Sequence, residues 1–207
     1  MGEKNTVSDD RRRRIVLFGI FGIGNLGNES TLWVTLHHLR RRLPGAEIVC
    51  VSDGLPSFAH LYDVTGFPID PLPVRGARRL PSKLLKHIFV ATATMIPEPI
   101  RLRRAIRLLR GTDQFIVVGT GALDDLGQLP WELPAHIARW CRAAKSIRAK
   151  VQLLAVGAGP IRNRMNRWLM TRAVAVSESR TYRDGFSRDY MAGLGVGSVQ
   201  DEVVPDL

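Results

Sequence analysis

Apolar residues along the chain form short runs that alternate with segments of helical periodicity. The run Arg14 to Gly19 is apolar and ends in glycine, which is typical of a buried parallel strand. In the next segment, Glu29 to Leu43, leucines recur at helical spacing until Pro44-Gly45. A second apolar strand, Glu47 to Ser52, follows. The pattern therefore predicts a right-handed strand, helix, strand unit of a parallel sheet.

The same alternation returns in the second half of the chain. Strands are predicted at Gln114 to Val118, Val151 to Val156, Ser179 to Tyr182 and near Val196 to Val204, with a helix at Asn163 to Ala175. Strands that alternate with helices build a sheet covered on both faces. We therefore expect an α/β fold, with a Rossmann-like, doubly wound and mainly parallel sheet over residues 14–207.

The middle of the chain is less regular, with prolines up to Pro81 and helices predicted at Leu84 to Met95 and Ile100 to Leu109. Its basic residues allow two interpretations: contact with a bilayer surface, or an ordinary amphipathic helix packed on the sheet. The residues concerned are Lys83, Lys86 and His87, and a stripe of Arg101, Arg104 and Arg107.

Composition excludes general disorder and favours anionic partners. The chain has 207 residues, 45% of them hydrophobic, and a net charge of +11. No nucleic-acid recognition motif accompanies the basic runs, so we expect no nucleic-acid partner.

We interpret Cys50 and Cys141 as reduced core residues. We find no signal peptide or transmembrane segment, and we expect a cytoplasmic protein whose residues 1–13 form a disordered basic arm.

The turn after the first strand contains Gly22-x-Gly24-x-x-Gly27, a formal match to the dinucleotide fingerprint. Asp53 lies where a ribose-binding acid would follow the second strand. Glycines at such a turn also admit other anions to the amide groups of a helix start. The additional Gly19 and the polar residues that follow argue for a different ligand.

Those polar residues are Asn25, Asn28 and Glu29. They are candidate site residues, although Asn28 also suits a helix N-cap and Glu29 the first helical turn. Three further motifs come after later strands. These are Gly119-Thr120-Gly121-Ala122-Leu123-Asp124-Asp125, Val156-Gly157-Ala158-Gly159-Pro160, and Ser179 to Ser187 with its Arg183-Asp184 pair.

In this order the motifs resemble those of the polysaccharide pyruvyl transferases. The stretch Gly19 to Ser30 is similar to the family's amino-terminal signature, with Asn28 in place of the usual aspartate. The second motif resembles a triple-glycine loop that ends in aspartate, with Thr120 as the middle residue. The third and fourth resemble a Gly-x-Gly-Pro turn and a strand ending in Arg-Asp, and Pro205-Asp206-Leu207 resembles the junction to a second domain.

The resemblance implies the amino-terminal domain of a GT-B-like two-domain enzyme, whose carboxyl-terminal domain is missing here. It implies transfer of a pyruvyl group from phosphoenolpyruvate to a sugar of a cell-surface polysaccharide or its lipid-linked precursor, with no cofactor and no metal. The predicted catalytic residues are Glu29 and Asp125, and the predicted substrate-binding residues are Gly22, Gly24, Asn25, Gly27, Asn28, Gly119, Gly121, Asp124 and Arg183.

The predicted partners are phosphoenolpyruvate and a glycan acceptor, with peripheral contact to an anionic membrane as a further hypothesis. No histidine falls in a matched motif, so none is predicted to be catalytic. Two other classes of protein stay open at this point: an NAD(P)-binding oxidoreductase and a non-catalytic glycan-binding module.

Overall fold

The computed structural model describes residues 12–71, 98–125 and 129–204. Within these residues, seven strands form one parallel sheet. The strands are β1 (Arg14–Phe18), β2 (Glu47–Val51), β3 (Thr65–Phe67), β4 (Gln114–Leu123), β5 (Lys150–Ala158), β6 (Ser179–Tyr182) and β7 (Glu202–Val203). The helices are α1 (Leu26–Arg42), α2 (Leu55–Phe58), α3 (Glu98–Leu108), α4 (Leu133–Ser146), α5 (Arg164–Ala175) and α6 (Gly185–Gly193).

The strand order is β3-β2-β1-β4-β5-β6-β7, which confirms the predicted doubly wound sheet. The first strand pairs with β2 on one side and with β4 on the other. The chain therefore winds outward in one direction from β1 and in the opposite direction from β4. In open sheets of this kind, ligands bind beyond the carboxyl ends of the strands where the winding direction changes.

Two buried clusters hold the helices to the sheet. Leu32 and Leu36 of α1 belong to one cluster, together with Ile15 and Leu17 of β1. The alternate residues of β1, Val16 and Phe18, belong to the other cluster, with buried residues of the later helices. The alternation of a strand sends neighbouring side chains to opposite faces, so both faces of β1 are covered, as its uninterrupted apolar run predicts.

Some boundaries differ from the prediction. The fourth strand does not end at Val118 but continues to Leu123, and β5 continues to Ala158, so Gly119, Gly121 and Gly157 lie within strands and not in loops. Pairing resumes past the glycines, with a register shift between Thr120 and Leu123, which explains why glycine failed to mark the strand end. The short β3 was not predicted, and the last strand covers only Glu202–Val203.

The basic stripe predicted on the third helix is wrong in one member. Arg101 is buried and forms an ion pair with Asp70, whereas Arg104 and Arg107 are exposed. The predicted helix at 84–95, with Lys83, Lys86 and His87, lies outside the described residues, as do residues 1–11 and 205–207. In the described part of the chain, no helix is both long enough and apolar enough to cross a membrane.

Trp140 is the largest fully buried side chain, and its indole Nε1 donates to the carbonyl oxygen of Ile69 at 2.7 Å. Trp140→Ala should lower the free energy of unfolding by about 3–5 kcal/mol, because it leaves a cavity and an unpaired carbonyl. Urea titration measures the loss. Trp168→Ala is the matched control, since Trp168 is 53% exposed; an equal loss in both variants would contradict the assignment of Trp140 to the core.

Candidate functional site

The turn between β1 and α1 is held by one carboxylate. Oε1 of Glu29 accepts the backbone N–H of Gly22 at 2.6 Å, seven residues earlier in the chain. Gly22 has φ 75°, and a Cβ at this position would overlap the carbonyl oxygen of Gly54. Glu29, predicted to be catalytic, therefore braces the turn through one of its oxygens.

Asn25, and not Asn28, caps α1. Its side-chain oxygen accepts the N–H groups of Gly27 at 3.1 Å and of Asn28 at 3.4 Å. Asn28 lies inside the first helical turn, where it is 5% exposed and donates from Nδ2 to the carbonyl oxygen of Ile20 at 2.7 Å. Among the described residues, no group donates to the buried Oδ1 of Asn28.

At the end of β4, the two neighbouring aspartates have different environments. Asp125 is buried, and its Oδ2 accepts the N–H groups of Arg162 at 2.7 Å and of Asn163 at 2.8 Å. It thereby ties the end of β4 to the start of α5, which Asn163 caps. Neither aspartate caps the helix that follows in sequence, because α4 begins only at Leu133.

Asp124 lies between two glycines from neighbouring segments. A Cβ on Gly121 would come 2.7 Å from Oδ2 of Asp124, and a Cβ on Gly159 would come 2.8 Å from the Cβ of Asp124. Burial raises the pKa of Asp124, nearby Arg183 lowers it, and Asp125 raises it further. Its Oδ1 is buried, and no donor from the described part of the chain reaches it. A carboxyl group in this setting keeps an open hydrogen-bonding position.

Arg183 extends from the end of β6 across Gly157 of β5. A Cβ on Gly157 would lie 2.6 Å from the Nε atom of Arg183, so glycine is required for this close approach. Arg183 also pairs with Asp184 at 3.1 Å, and its side chain is 40% exposed. Asp184 caps α6 by accepting the N–H of Ser187, a bond that lowers the pKa of Asp184. The pair is therefore structural, yet the guanidinium group remains accessible.

A cavity of about 450 Å³ opens on the other side of the change in winding direction, beyond the ends of β1 to β3. In this region only Asp53 was predicted to bind a ligand, the ribose of a dinucleotide. In the structure, Oδ1 of Asp53 accepts the N–H of Ile69 at 2.9 Å. The cavity is lined by Ile20, Asp53, Ile69, Asp70, Glu98, Arg101, Trp131, Glu132, Leu133, Ala135, His136 and Arg139.

His136 in this cavity was missed, because it belongs to no motif. Its Nδ1 lies 2.8 Å from Nη1 of Arg139, whose guanidinium group makes two further bonds of 2.8 Å to the carboxylate of Glu98. Burial and the adjacent Arg139 lower the pKa of His136 to about 4. The helical position of His136, one turn before Arg139 on α4, was the only sequence signal of the pairing.

Most predicted site residues follow adjacent strands of the sheet. Gly22, Gly24, Asn25, Gly27, Asn28 and Glu29 follow β1, Gly119, Gly121, Asp124 and Asp125 lie at the end of β4, and Arg183 follows β6. Gly119 approaches α1 closely, since a Cβ at this position would lie 2.7 Å from the methyl carbon of Thr31. Within the described ranges, no three His, Cys, Asp or Glu side chains are grouped to hold a metal ion.

The sheet order and the flanking helices define a Rossmann-like protein whose carboxyl edge carries the candidate site residues. The chain belongs to the polysaccharide pyruvyl transferase family, whose sequence model matches residues 25–207. No curated protein sequence gives a significant match.

Among solved structures, the chain is similar to a GT-B-like protein from Listeria monocytogenes that is described as a UDP-N-acetylglucosamine 2-epimerase. The TM-score is 0.51, with 9% sequence identity. The match covers 92% of this chain but only 44% of the epimerase chain. At this identity the likeness concerns the fold alone, and it agrees with the predicted Rossmann-like architecture.

Gly22 and Gly24 allow the glycine turn to be tested with a matched pair of variants. Both have φ near 80°, but a Cβ on Gly24 meets open space whereas one on Gly22 meets the backbone of Gly54. Gly24→Ala should cost about 1–2 kcal/mol of stability, from backbone strain alone. Gly22→Ala should cost roughly 2–4 kcal/mol, because overpacking adds to the strain. Thermal unfolding measures both, and the reverse ranking would contradict this turn geometry.

The lowered pKa of His136 makes stability depend on pH. The unfolded chain takes up a proton near the ordinary histidine pKa of about 6.5, and the folded chain only near 4. The contribution of His136 to the free energy of unfolding is therefore complete above pH 6.5. It is lost as the pH falls toward 4, because the unfolded chain then binds a proton that the folded chain does not. We expect His136→Gln to flatten urea-unfolding stability over this range, while the exposed His60→Gln leaves the slope unchanged. Equal slopes in all three proteins would contradict the assignment.

Proposed function

We propose that the full-length protein transfers a pyruvyl group from phosphoenolpyruvate to a saccharide of a cell-surface polysaccharide or its lipid-linked precursor. The observation that carries this proposal is the placement of Asp124 and Arg183 against two glycine-containing strand ends, in a chain of the pyruvyl transferase family. In the proposal, these residues line one side of the cleft, and the opposite side comes from a second domain outside this chain.

The chemistry requires both positive charge and a proton carrier. Ketal formation joins two sugar hydroxyl oxygens to the central carbon of phosphoenolpyruvate, protonates its methylene carbon to a methyl group and releases phosphate. The anionic donor needs cationic groups, and the hydroxyl groups must lose their protons to a base. The accessible guanidinium group of Arg183 supports a role in binding the carboxylate or phosphate of the donor.

Asp124 is better suited to proton transfer than the two carboxylates predicted as catalytic. Glu29 and Asp125 each use an oxygen to accept backbone N–H groups, which orders the site. Asp124 has a buried oxygen that no described residue occupies and a raised pKa, two properties of a general acid or base. Catalytic roles for Glu29 and Asp125 stay predictions, which Glu29→Gln and Asp125→Asn would test.

A peripheral contact with an anionic membrane belongs to the same proposal. The exposed Arg104 and Arg107 and the net charge of +11 support such a contact, which would bring a lipid-linked acceptor to the enzyme. The competing NAD(P)-dependent oxidoreductase has less support, because Asp53 holds the backbone of Ile69. Saturable NAD binding that is lost in Asp53→Ala would favour that alternative.

Phosphate release from phosphoenolpyruvate in the presence of an acceptor saccharide tests the function in the full-length protein. Asp124→Asn should lower kcat by about 10²–10⁴-fold, as expected for loss of a general acid or base. Arg183→Ala should raise the KM for phosphoenolpyruvate by roughly tenfold or more, through loss of a charge-assisted bond.

Arg188→Ala is the matched control for Arg183. Arg188 is 43% exposed and pairs with the following residue, Asp189, at 2.9 Å, just as Arg183 pairs with Asp184. The control should keep the parental KM. Absence of acceptor-dependent phosphate release from the parent protein would refute the proposed function, and saccharide binding without turnover would favour the glycan-binding module.

A further inference from the structure

We propose that the cavity beyond β1 to β3 is a subsite for a neutral sugar ring, with the indole of Trp131 as its stacking surface and His136 as a hydrogen-bonding group. The identification of this sugar as the acceptor of pyruvyl transfer rests on the proposed function. The binding of a sugar in the cavity is independent of that function.

The size and the aromatic wall of the cavity suit a saccharide. Its volume of about 450 Å³ falls in the range of small-molecule sites, roughly 300–1,000 Å³. Trp131 lines the cavity and is 60% exposed, although an indole is among the side chains that gain most from burial. A pyranose ring offers the complement to such a wall: an apolar face of C–H groups, edged by hydroxyl groups.

His136 is fixed in one tautomer. A guanidinium group only donates hydrogen bonds, so Nδ1 of His136 accepts the bond from Arg139 and carries no proton. The neutral ring must then carry its proton on Nε2. Arg139 is itself held by two bonds to the carboxylate of Glu98, and its side chain is only 4% exposed. Nε2–H is therefore a fixed donor that suits a sugar oxygen.

The charges around the cavity select against anions. Among the residues that the structure describes, four carboxylates line it, on Asp53, Asp70, Glu98 and Glu132, against the two guanidinium groups of Arg101 and Arg139. With His136 neutral, the formal charge of these described lining residues is −2, although the chain as a whole carries +11. Phosphoenolpyruvate, phosphate and nucleotides are disfavoured here, whereas an uncharged polyol can accept and donate bonds to carboxylates and imidazole.

Two ion pairs account for part of this wall structurally. Asp70 pairs with Arg101, and Glu98 pairs with Arg139. Trp131 and Glu132 belong to neither pair and are both exposed at the cavity, where Oε2 of Glu132 accepts the N–H of Leu129 at 2.8 Å. The two ion pairs and the exposed Trp131 and Glu132 together form a cavity lining whose surface is accessible to a ligand.

Nuclear magnetic resonance of the indole N–H groups tests the subsite directly in the 207-residue chain. The probes are methyl galactopyranoside, methyl glucopyranoside and methyl mannopyranoside, with phosphoenolpyruvate and inorganic phosphate as anionic comparisons. We expect at least one glycoside to shift the Trp131 resonance saturably at millimolar concentrations, and neither anion to do so. For the variants, binding is followed on the glycoside by saturation-transfer titration, which does not need the Trp131 signal: Trp131→Ala should weaken the glycoside by roughly tenfold or more, and His136→Gln by about threefold to tenfold.

Trp168→Ala is the control, because Trp168 is similarly exposed but lies on α5, away from the cavity; it should leave glycoside binding unchanged. The proposal is overturned if no glycoside shifts Trp131, if phosphoenolpyruvate shifts it in the same way, or if Trp131→Ala binds as the parent does. Failure of the proposed function looks different: glycosides bind at Trp131, but the full-length protein releases no phosphate from phosphoenolpyruvate.

Discussion

The arrangement of the carboxyl edge depends on one buried oxygen, Oδ2 of Asp125. By accepting two consecutive backbone N–H groups, those of Arg162 and Asn163, it fixes the end of β4 to the start of α5. Between these two ends, the N–H of Gly159 donates to the carbonyl oxygen of Leu123 at 3.2 Å, and Gly159 leaves the space that Asp124 fills. An acidic side chain in this position must stay paired with these donors, because an unpaired buried carboxylate is costly. The accessible groups of the site are thus supported by a neighbour committed to the backbone.

The carboxyl edge of the sheet carries different charges on the two sides of the point where the winding direction changes. On the β4 to β6 side, Arg183 lies beside Asp124, and exposed arginines begin α5. On the β1 to β3 side, carboxylates outnumber guanidinium groups around a cavity with an open indole. An enzyme that joins an anionic donor to a neutral polyol needs two such environments next to each other, and a doubly wound sheet supplies adjacent positions for them.

Sequence patterns predicted the sheet, its helices and the order of the motifs, because apolar runs and glycine turns are local signals. They could not predict that Asn25 caps α1 while Asn28 is buried, since both residues are asparagines and asparagine is a favoured helix cap. Gly119 and Gly121 predict the end of a strand that in fact continues through a register shift. His136 was passed over because its significance comes from Arg139, Glu98 and a cavity wall, and these meet only in the folded chain.

The strand order also has a kinetic consequence. The β1, α1, β2 unit can form from neighbouring segments, but β1 meets β4 only when distant parts of the chain close together, as the bond from Arg14 N to Asp113 across 99 positions illustrates. Such long-range pairing is slow, because loop-closure entropy is lost before the contacts form. The candidate site residues of the carboxyl edge lie on both sides of the pairing between β1 and β4. We therefore expect binding competence to appear late in folding, after each half of the sheet has formed its own secondary structure.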